Sequence, residues 1–336
     1  MSLAVETLAN SAVLSKLGSL GAGLTRPECV LTTRRGDVYT SDWRGGVAHL
    51  RPDGVQTLYY ARGIDGLTLR PNGIALEADG SFLLAQLGAE DGGVYRLTRS
   101  GELTPFLREV EGKALPPTNF VVADANGRIW ITVSTRRKPR ALGYRADCDD
   151  GFVVMVDAKD TRGKGARIVA DGLGYTNECA VHPSGNWLYV NETFTRKLSR
   201  FPIRADGSLG NKELVTTFGE GTFPDGLVFD AEGAAWIVSI VSNRVIRVTP
   251  DSAQHLFLQD VDADHLRWVE AAYQSSTMDR PHLDTVKSQR LKNISSIAFG
   301  GPDLRTGYLG CLLGDNVTVI NMPVAGHPPV HWEYPL

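Results

Sequence analysis

The feature that most restricts the fold of this chain is a repeat. Short segments recur in which a polar turn with glycine leads into a run rich in Val, Ile, Tyr and Trp. They are Gly36-Asp37-Val38-Tyr39-Thr40, Asp79-Gly80-Ser81-Phe82-Leu83-Leu84, Asn126-Gly127-Arg128-Ile129-Trp130-Ile131, Ser184-Gly185-Asn186-Trp187-Leu188-Tyr189-Val190 and Glu232-Gly233-Ala234-Ala235-Trp236-Ile237-Val238. A diverged sixth copy is Pro302-Asp303-Leu304-Arg305-Thr306-Gly307-Tyr308-Leu309. Their spacing of about 45 to 60 residues, longer before the last copy, is the length of a four-stranded propeller blade.

Each clear copy has companions. Most are preceded by a small apolar strand, such as Gly73-Ile74-Ala75-Leu76 or Gly226-Leu227-Val228-Phe229. Each is followed by an alternating strand, such as Gly46-Val47-Ala48-His49-Leu50 or Gly151-Phe152-Val153-Val154-Met155-Val156. Alternation and β-branched content mark strands, and no segment of the body keeps a 3.6-residue apolar period for long. The expectation is an all-β chain folded as a six-bladed β-propeller. A two-sheet sandwich is the alternative, disfavoured because five copies keep one internal order.

Two kinds of segment depart from the repeat. Residues 1–24 read as an N-terminal extension, with a short amphipathic helix near residues 3–20 packed on the outside of the domain. The propeller is expected over residues 25–336, with insertions at about 135–150 and 260–290. The first is polar and Arg-rich; the second contains Asp264-His265-Leu266-Arg267-Trp268-Val269-Glu270-Ala271-Ala272-Tyr273, read as a helix. Insertions in propellers sit in loops on a face, so one or both of these are expected to help roof the axial pocket.

Composition narrows the function. An apolar share of 42% over 336 residues suffices for a sizeable core, and a net charge of -3 argues against nucleic acid, which needs a basic surface. The basic cluster Arg136, Arg137, Lys138 and Arg140 is an exception, read as a solvated loop rather than an anion site. Cys29, Cys148, Cys179 and Cys311 form no C-x-x-C pair, so reduced thiols are expected rather than a zinc-thiolate site or a disulfide framework. No secretory signal or membrane anchor is read at the N-terminus, which gives a cytoplasmic expectation with no membrane partner.

In a propeller the innermost strands converge on the axis. Just ahead of the apolar companion strands stand Glu28, Asn72, Asn119, Asn177 and Asp225, all oxygen donors. Singly each is an ordinary turn or surface residue. Recurring at one phase, they form a hard-oxygen set suited to Ca²⁺, Mg²⁺ or Mn²⁺. No His or Cys shares that phase, which disfavours structural zinc.

These motifs resemble the SMP-30/gluconolactonase family of regucalcin-like lactonases. The matches are Pro224-Asp225-Gly226-Leu227 followed by Asp230-Ala231-Glu232-Gly233; Asn119 with Asp124-Ala125-Asn126-Gly127-Arg128-Ile129-Trp130; Ser184-Gly185-Asn186-Trp187-Leu188-Tyr189-Val190 after Asn177; and Ala298-Phe299-Gly300-Gly301-Pro302-Asp303-Leu304. The resemblance implies an axial divalent cation held by Glu28, Asn177 and Asp225, with Asn119 either completing the metal shell or binding substrate. Calcium leads, with Mg, Mn, Zn and Fe as alternatives.

It further implies a metal-dependent hydrolase acting on a small-molecule lactone or related ester. Asp225 is the first choice to align the attacking water, Glu178 the second, and Asn119 the third catalytic candidate. Three positions depart from the family pattern: Glu178 replaces a usual Gly, Phe120-Val121 replaces Asp-Gly, and Pro117 replaces a substrate-gripping Arg. They point toward a less polar lactone or aryl ester resting partly on Phe120 and Trp43, unless those aromatics are core. A lyase or organophosphate hydrolase on the same site, and a non-catalytic small-ligand-binding propeller, are the alternatives.

Overall fold

The repeated turn is a physical unit. In the computed structural model, which describes residues 10–62, 67–160 and 163–334, the Gly127 amide donates to the Asp124 carbonyl and the Asp124 amide to the Arg128 carbonyl, both at 2.9 Å. Gly127 sits at φ 76°, which a side chain would strain. The Asp124 carboxylate then ties the turn to the strand that follows. One oxygen accepts from the Asn126 and Arg128 amides (2.9 and 3.0 Å), the other from Arg128 Nε and Trp130 Nε1 (2.6 and 3.1 Å). Asp230 repeats the pattern with the Glu232 and Ala234 amides, Trp236 Nε1 and Arg247 Nε. The Asp-x-x-Gly-x-x-Trp spacing thus satisfies a turn, a carboxylate and a buried indole in one local network.

The strands between these turns form six four-stranded antiparallel sheets, the blades of a six-bladed β-propeller, beside one two-stranded hairpin, Glu109–Val110 with Lys113–Ala114. The innermost strands are Val30–Thr32, Pro71–Leu76, Thr118–Ala123, Thr176–Val181, Thr222–Phe229 and Ile294–Gly300. In the first five blades the four strands follow chain order from the axis outward. The sixth has only three strands from the C-terminal part. Its outer strand is Gly18–Leu20, paired antiparallel with Val317–Asn321 so that Gly18 faces Val319 and Leu20 faces Val317.

The segment expected to be an external helix therefore supplies the strand that closes the ring. Residues 10–15 are helical; residues 1–9 lie outside the described residues. Asn10 anchors this helix to the outer strand of blade five, its amide donating to the Gln259 carbonyl (2.8 Å) and its Oδ1 accepting from the Gln259 amide (2.9 Å). Val13, Leu14 and Leu17 pack beside Trp236 and Ile320.

Strands read as alternating are buried on both faces: Gly46–Leu50 and Gly151–Val156 are buried at every position. Each blade packs between two others, so the core lies between sheets; Leu83, Ala85 and Val94 of blade two meet Val121, Ile131 and Val154 of blade three. The two insertions contain a 3₁₀ turn, Arg140–Gly143, and the helices Ala263–Gln274 and Arg280–Leu283. Asp262 caps the longer helix by accepting from the His265 amide (2.8 Å). Among the described residues no helix is long and apolar enough to cross a membrane, and all four cysteines are buried and unpaired.

Candidate metal centre on the propeller axis

The innermost strands lose register at one level. Pairing shifts between Pro71 and Ile74, Thr118 and Phe120, Thr176 and Cys179, Pro224 and Leu227, and Ile294 and Ser296. A bulge inserts an unpaired residue, bends the strand and re-aims its side chains. The residues so placed include Asn72, Asn119, Asn177, Asp225 and Ser295. Glu28, two positions ahead of the first pairing of blade one at Val30, completes the ring. Ser295 escaped the sequence reading because a serine replaces the longer donors of the other blades. The signal was its position in Ile294-Ser295-Ser296-Ile297, in phase with Pro224-Asp225-Gly226-Leu227. Its hydroxyl donates to the Glu28 carbonyl (3.3 Å), joining the last blade to the first.

Close backbone approach sets which positions hold glycine at this level. A Cβ on Gly226 would stand 2.6 Å from Ser296 Cα and 2.8 Å from the Ser295 carbonyl oxygen, and one on Gly73 would stand 2.6 Å from Phe120 Cα. Asn191 pins the bulge of blade five, its amide donating to the carbonyls of Asp225 and Gly226 (3.0 and 3.1 Å).

Glu28, Asn119, Asn177 and Asp225 line one partly open cavity of about 30 Å³, above the ~10–15 Å³ that a single water needs. Arg140 and Tyr144 from the first insertion and Arg280 and Leu283 from the second also line it. Each donor is oriented by its neighbours. Asn177 Nδ2 donates to Thr193 Oγ1 (3.1 Å), which donates to the Pro224 carbonyl (2.8 Å). Glu28 Oε2 accepts from Arg26 Nε at 2.7 Å, and that guanidinium lies 4.3 Å above the Trp43 ring. Asn72, beside this group, donates through Nδ2 to the Asn119 carbonyl (3.1 Å).

What the amide oxygens of this arrangement lack is a donor. The Oδ1 atoms of Asn72, Asn119 and Asn177 are buried with no hydrogen-bond donor. An unsatisfied buried polar group costs about 1–3 kcal/mol, so three at one level need a reason. Burial, and after it the charge of Glu28, pushes the Asp225 carboxyl well above the usual carboxylate range. Orphaned amide oxygens beside two carboxylates fit a hard divalent cation. Among the described residues no three His, Cys, Asp or Glu side chains form a metal cluster; the other oxygens at this level are amides.

Glu178 is not brought into this group. It follows Asn177 in the bulge and lines a second, largely apolar chamber further along the axis, of about 230 Å³, with Phe120, Leu227 and Phe299. Its Oε2 accepts from the Leu227 amide (2.9 Å), and burial pushes its carboxyl well above the usual range. Phe120 is likewise separated from the donor cavity. Trp43 lines a lateral pocket beside Arg26 and Arg280.

Solved structures share this architecture. A gluconolactonase from Xanthomonas campestris superposes with a TM-score of 0.65 at 19% identity, covering 96% of this chain and 94% of that one. A regucalcin from Agrobacterium tumefaciens, described as a calcium-binding protein, has a TM-score of 0.65 at 18% identity, covering 95% and 97%. At these identities the likeness speaks for the fold. In sequence, the 6-deoxy-6-sulfogluconolactonase of Pseudomonas putida is 29% identical over 237 residues, 70% of this chain. The match spans 66% of that relative's length. The profile of the SMP-30/gluconolactonase/LRE-like region matches residues 27–259, well over half of the sequence. On that match the chain belongs to the SMP-30/gluconolactonase/LRE-like family.

Proposed function

We propose that this protein hydrolyses a lactone at the axial cavity, with one divalent cation held by Glu28, Asn177 and Asp225. Calcium is the ion of choice. The observation that carries the proposal is the convergence of orphaned Asn119 and Asn177 oxygens with two buried carboxylates. The sulfogluconolactonase and the calcium-binding regucalcin among the similar proteins support it.

Bound there, a divalent cation would supply Lewis-acid polarisation of the ester carbonyl and a lowered pKa for nearby water. The chain supplies position and proton handling. Asp225 would hold the cation and orient the attacking water; because a cation-bound carboxylate is a weak base, orientation would be its main contribution. The water oxygen adds to the carbonyl carbon, the endocyclic C–O bond breaks, and the water's proton passes by way of Asp225 to the leaving alkoxide. The product is an open hydroxy acid. Asn119 holds either the cation or the substrate with its free oxygen. Arg140 and Tyr144 line the cavity beside these donors.

The test is a lactone and aryl-ester panel assayed on chelator-stripped protein with Ca²⁺, Mg²⁺, Mn²⁺, Zn²⁺ or Fe²⁺ restored in turn. Hydrolysis that EDTA abolishes and calcium restores is the expected outcome. Hydrolysis of no ester with any of the ions overturns the proposal.

A further inference from the structure

The Arg-rich insertion carries an asymmetry that the hydrolytic reaction does not use. Of its four arginines, three are committed locally. Arg136 pairs with both oxygens of Asp171 (2.8 and 2.9 Å), Arg137 donates to the Leu142 carbonyl (3.0 Å), and Arg145 pairs with both oxygens of Asp147 (2.8 and 2.8 Å). Arg140, at the head of the 3₁₀ turn, lines the axial cavity half-buried and makes no hydrogen bond or ion pair among the described residues. The platform beneath it is tied down, since Thr135 Oγ1 donates to Asp150 at 2.7 Å.

The two other guanidinium groups of the cavity are already partnered. Arg26 is bound to Glu28 and stacked on Trp43. Arg280 is paired with Asp284 and donates to the Tyr144 hydroxyl (3.4 Å). Arg26 and Arg280 are thus matched by Glu28 and Asp284, and Arg140 is the guanidinium of this lining left without an ion-pair partner among the described residues. A half-buried guanidinium with all five N–H donors unused is costly unless an acceptor completes it. Its planar fork matches sulfonate, phosphate or carboxylate in two-point contact.

We infer that Arg140, with the Tyr144 hydroxyl beside it, forms a subsite for a second, permanently anionic group on the substrate, so that the preferred substrates are acidic lactones. The inference rests on the lactonase proposal for the word lactone, and on the geometry of Arg140 alone for the anion.

The experiment measures binding as well as turnover. Gluconate, glucarate, 6-phosphogluconate and 6-deoxy-6-sulfogluconate are titrated by calorimetry into the calcium-loaded full chain, wild type and Arg140→Met and Arg140→Lys variants. In the wild type at least one doubly charged acid binds about tenfold or more tighter than gluconate, as expected for a charge-assisted bidentate contact. The member with the largest gain identifies the group. Arg140→Met loses that ratio and Arg140→Lys keeps part of it; a ratio within one variant is insensitive to partial loss of folded protein. Equal affinities in the wild type, or an undiminished ratio in Arg140→Met, overturn the inference. Hydrolysis of neutral lactones without any anion preference leaves the lactonase proposal standing and removes the subsite. Anion preference without hydrolysis of any lactone does the reverse.

Discussion

Replacing Asp225 with Asn should move metal affinity and metal-free stability in opposite directions. The side chain is buried at 4% exposure, shares its cavity with Glu28, and has no cationic side chain bonded to it. Asn keeps its size and one oxygen but removes the charge. If Asp225 is a ligand, a buried charge pair loses one member, a loss of about 3–5 kcal/mol, or two to nearly four decades in Kd for calcium. Calcium at a thousand times its wild-type Kd stabilises the native state by about 4 kcal/mol, and the variant should forfeit about 3–4 kcal/mol of it.

Without metal the sign reverses. Burial and Glu28 raise the Asp225 carboxyl, so the stability it contributes is fully present below the unfolded value of about 3.9 and is lost as pH rises through the raised native value. Metal-free Asp225→Asn, which has no such titration, should melt at or above the wild type near about pH 8 and converge with it below about pH 4. The assays are calorimetric calcium titration and thermal melts of chelator-stripped protein at both pH values. A variant that binds calcium within about threefold of wild type, or melts well below it when metal-free, refutes the assignment.

Two further outcomes follow from the same structure. Asp230→Ala strands the Trp236 indole N–H and the Arg247 guanidinium and opens the turn; it should cost about 3–5 kcal/mol in urea unfolding, and a loss under about 1 kcal/mol would show the network is dispensable. Glu178→Gln should match wild-type stability near about pH 4 and exceed it progressively as pH rises, because burial holds the native carboxyl above its ordinary value. A kcat lowered by about a hundredfold in that variant, equal to roughly 2.7 kcal/mol, would return Glu178 to the reaction.

Most of the blade was legible because its determinants are local. The Asp124 and Asp230 networks each close within seven residues of chain between Asp and Trp, apart from the later Arg247 contact, so the spacing of Asp, Gly and Trp already implies the turn. The phase of the donors followed, because Glu28, Asn72, Asn119, Asn177 and Asp225 each stand 8 residues before the turn glycine of their repeat (Gly36, Gly80, Gly127, Gly185 and Gly233). The direction in which a donor points did not follow. Asn177 and Glu178 are adjacent, yet the bulge sends one to the donor cavity and the other to the apolar chamber. A strict two-residue alternation carries no information about a bulge that depends on how neighbouring inner strands crowd, as Gly226 and Ser296 do.

The sequence alone thus determined the all-β repeat and its six copies, which rest on contacts between near neighbours along the chain, and the common phase of Glu28, Asn119, Asn177 and Asp225 within those copies; their convergence on one cavity joins four blades. Tertiary structure decided the rest: that Gly18–Leu20 closes the sixth blade against Val317–Asn321, that Ser295 joins the ring, and that Arg140 alone among its neighbours reaches the cavity unpaired. Those features depend on residues far apart in sequence, up to about three hundred positions for the closing strand, and no local pattern encodes which distant partner will arrive.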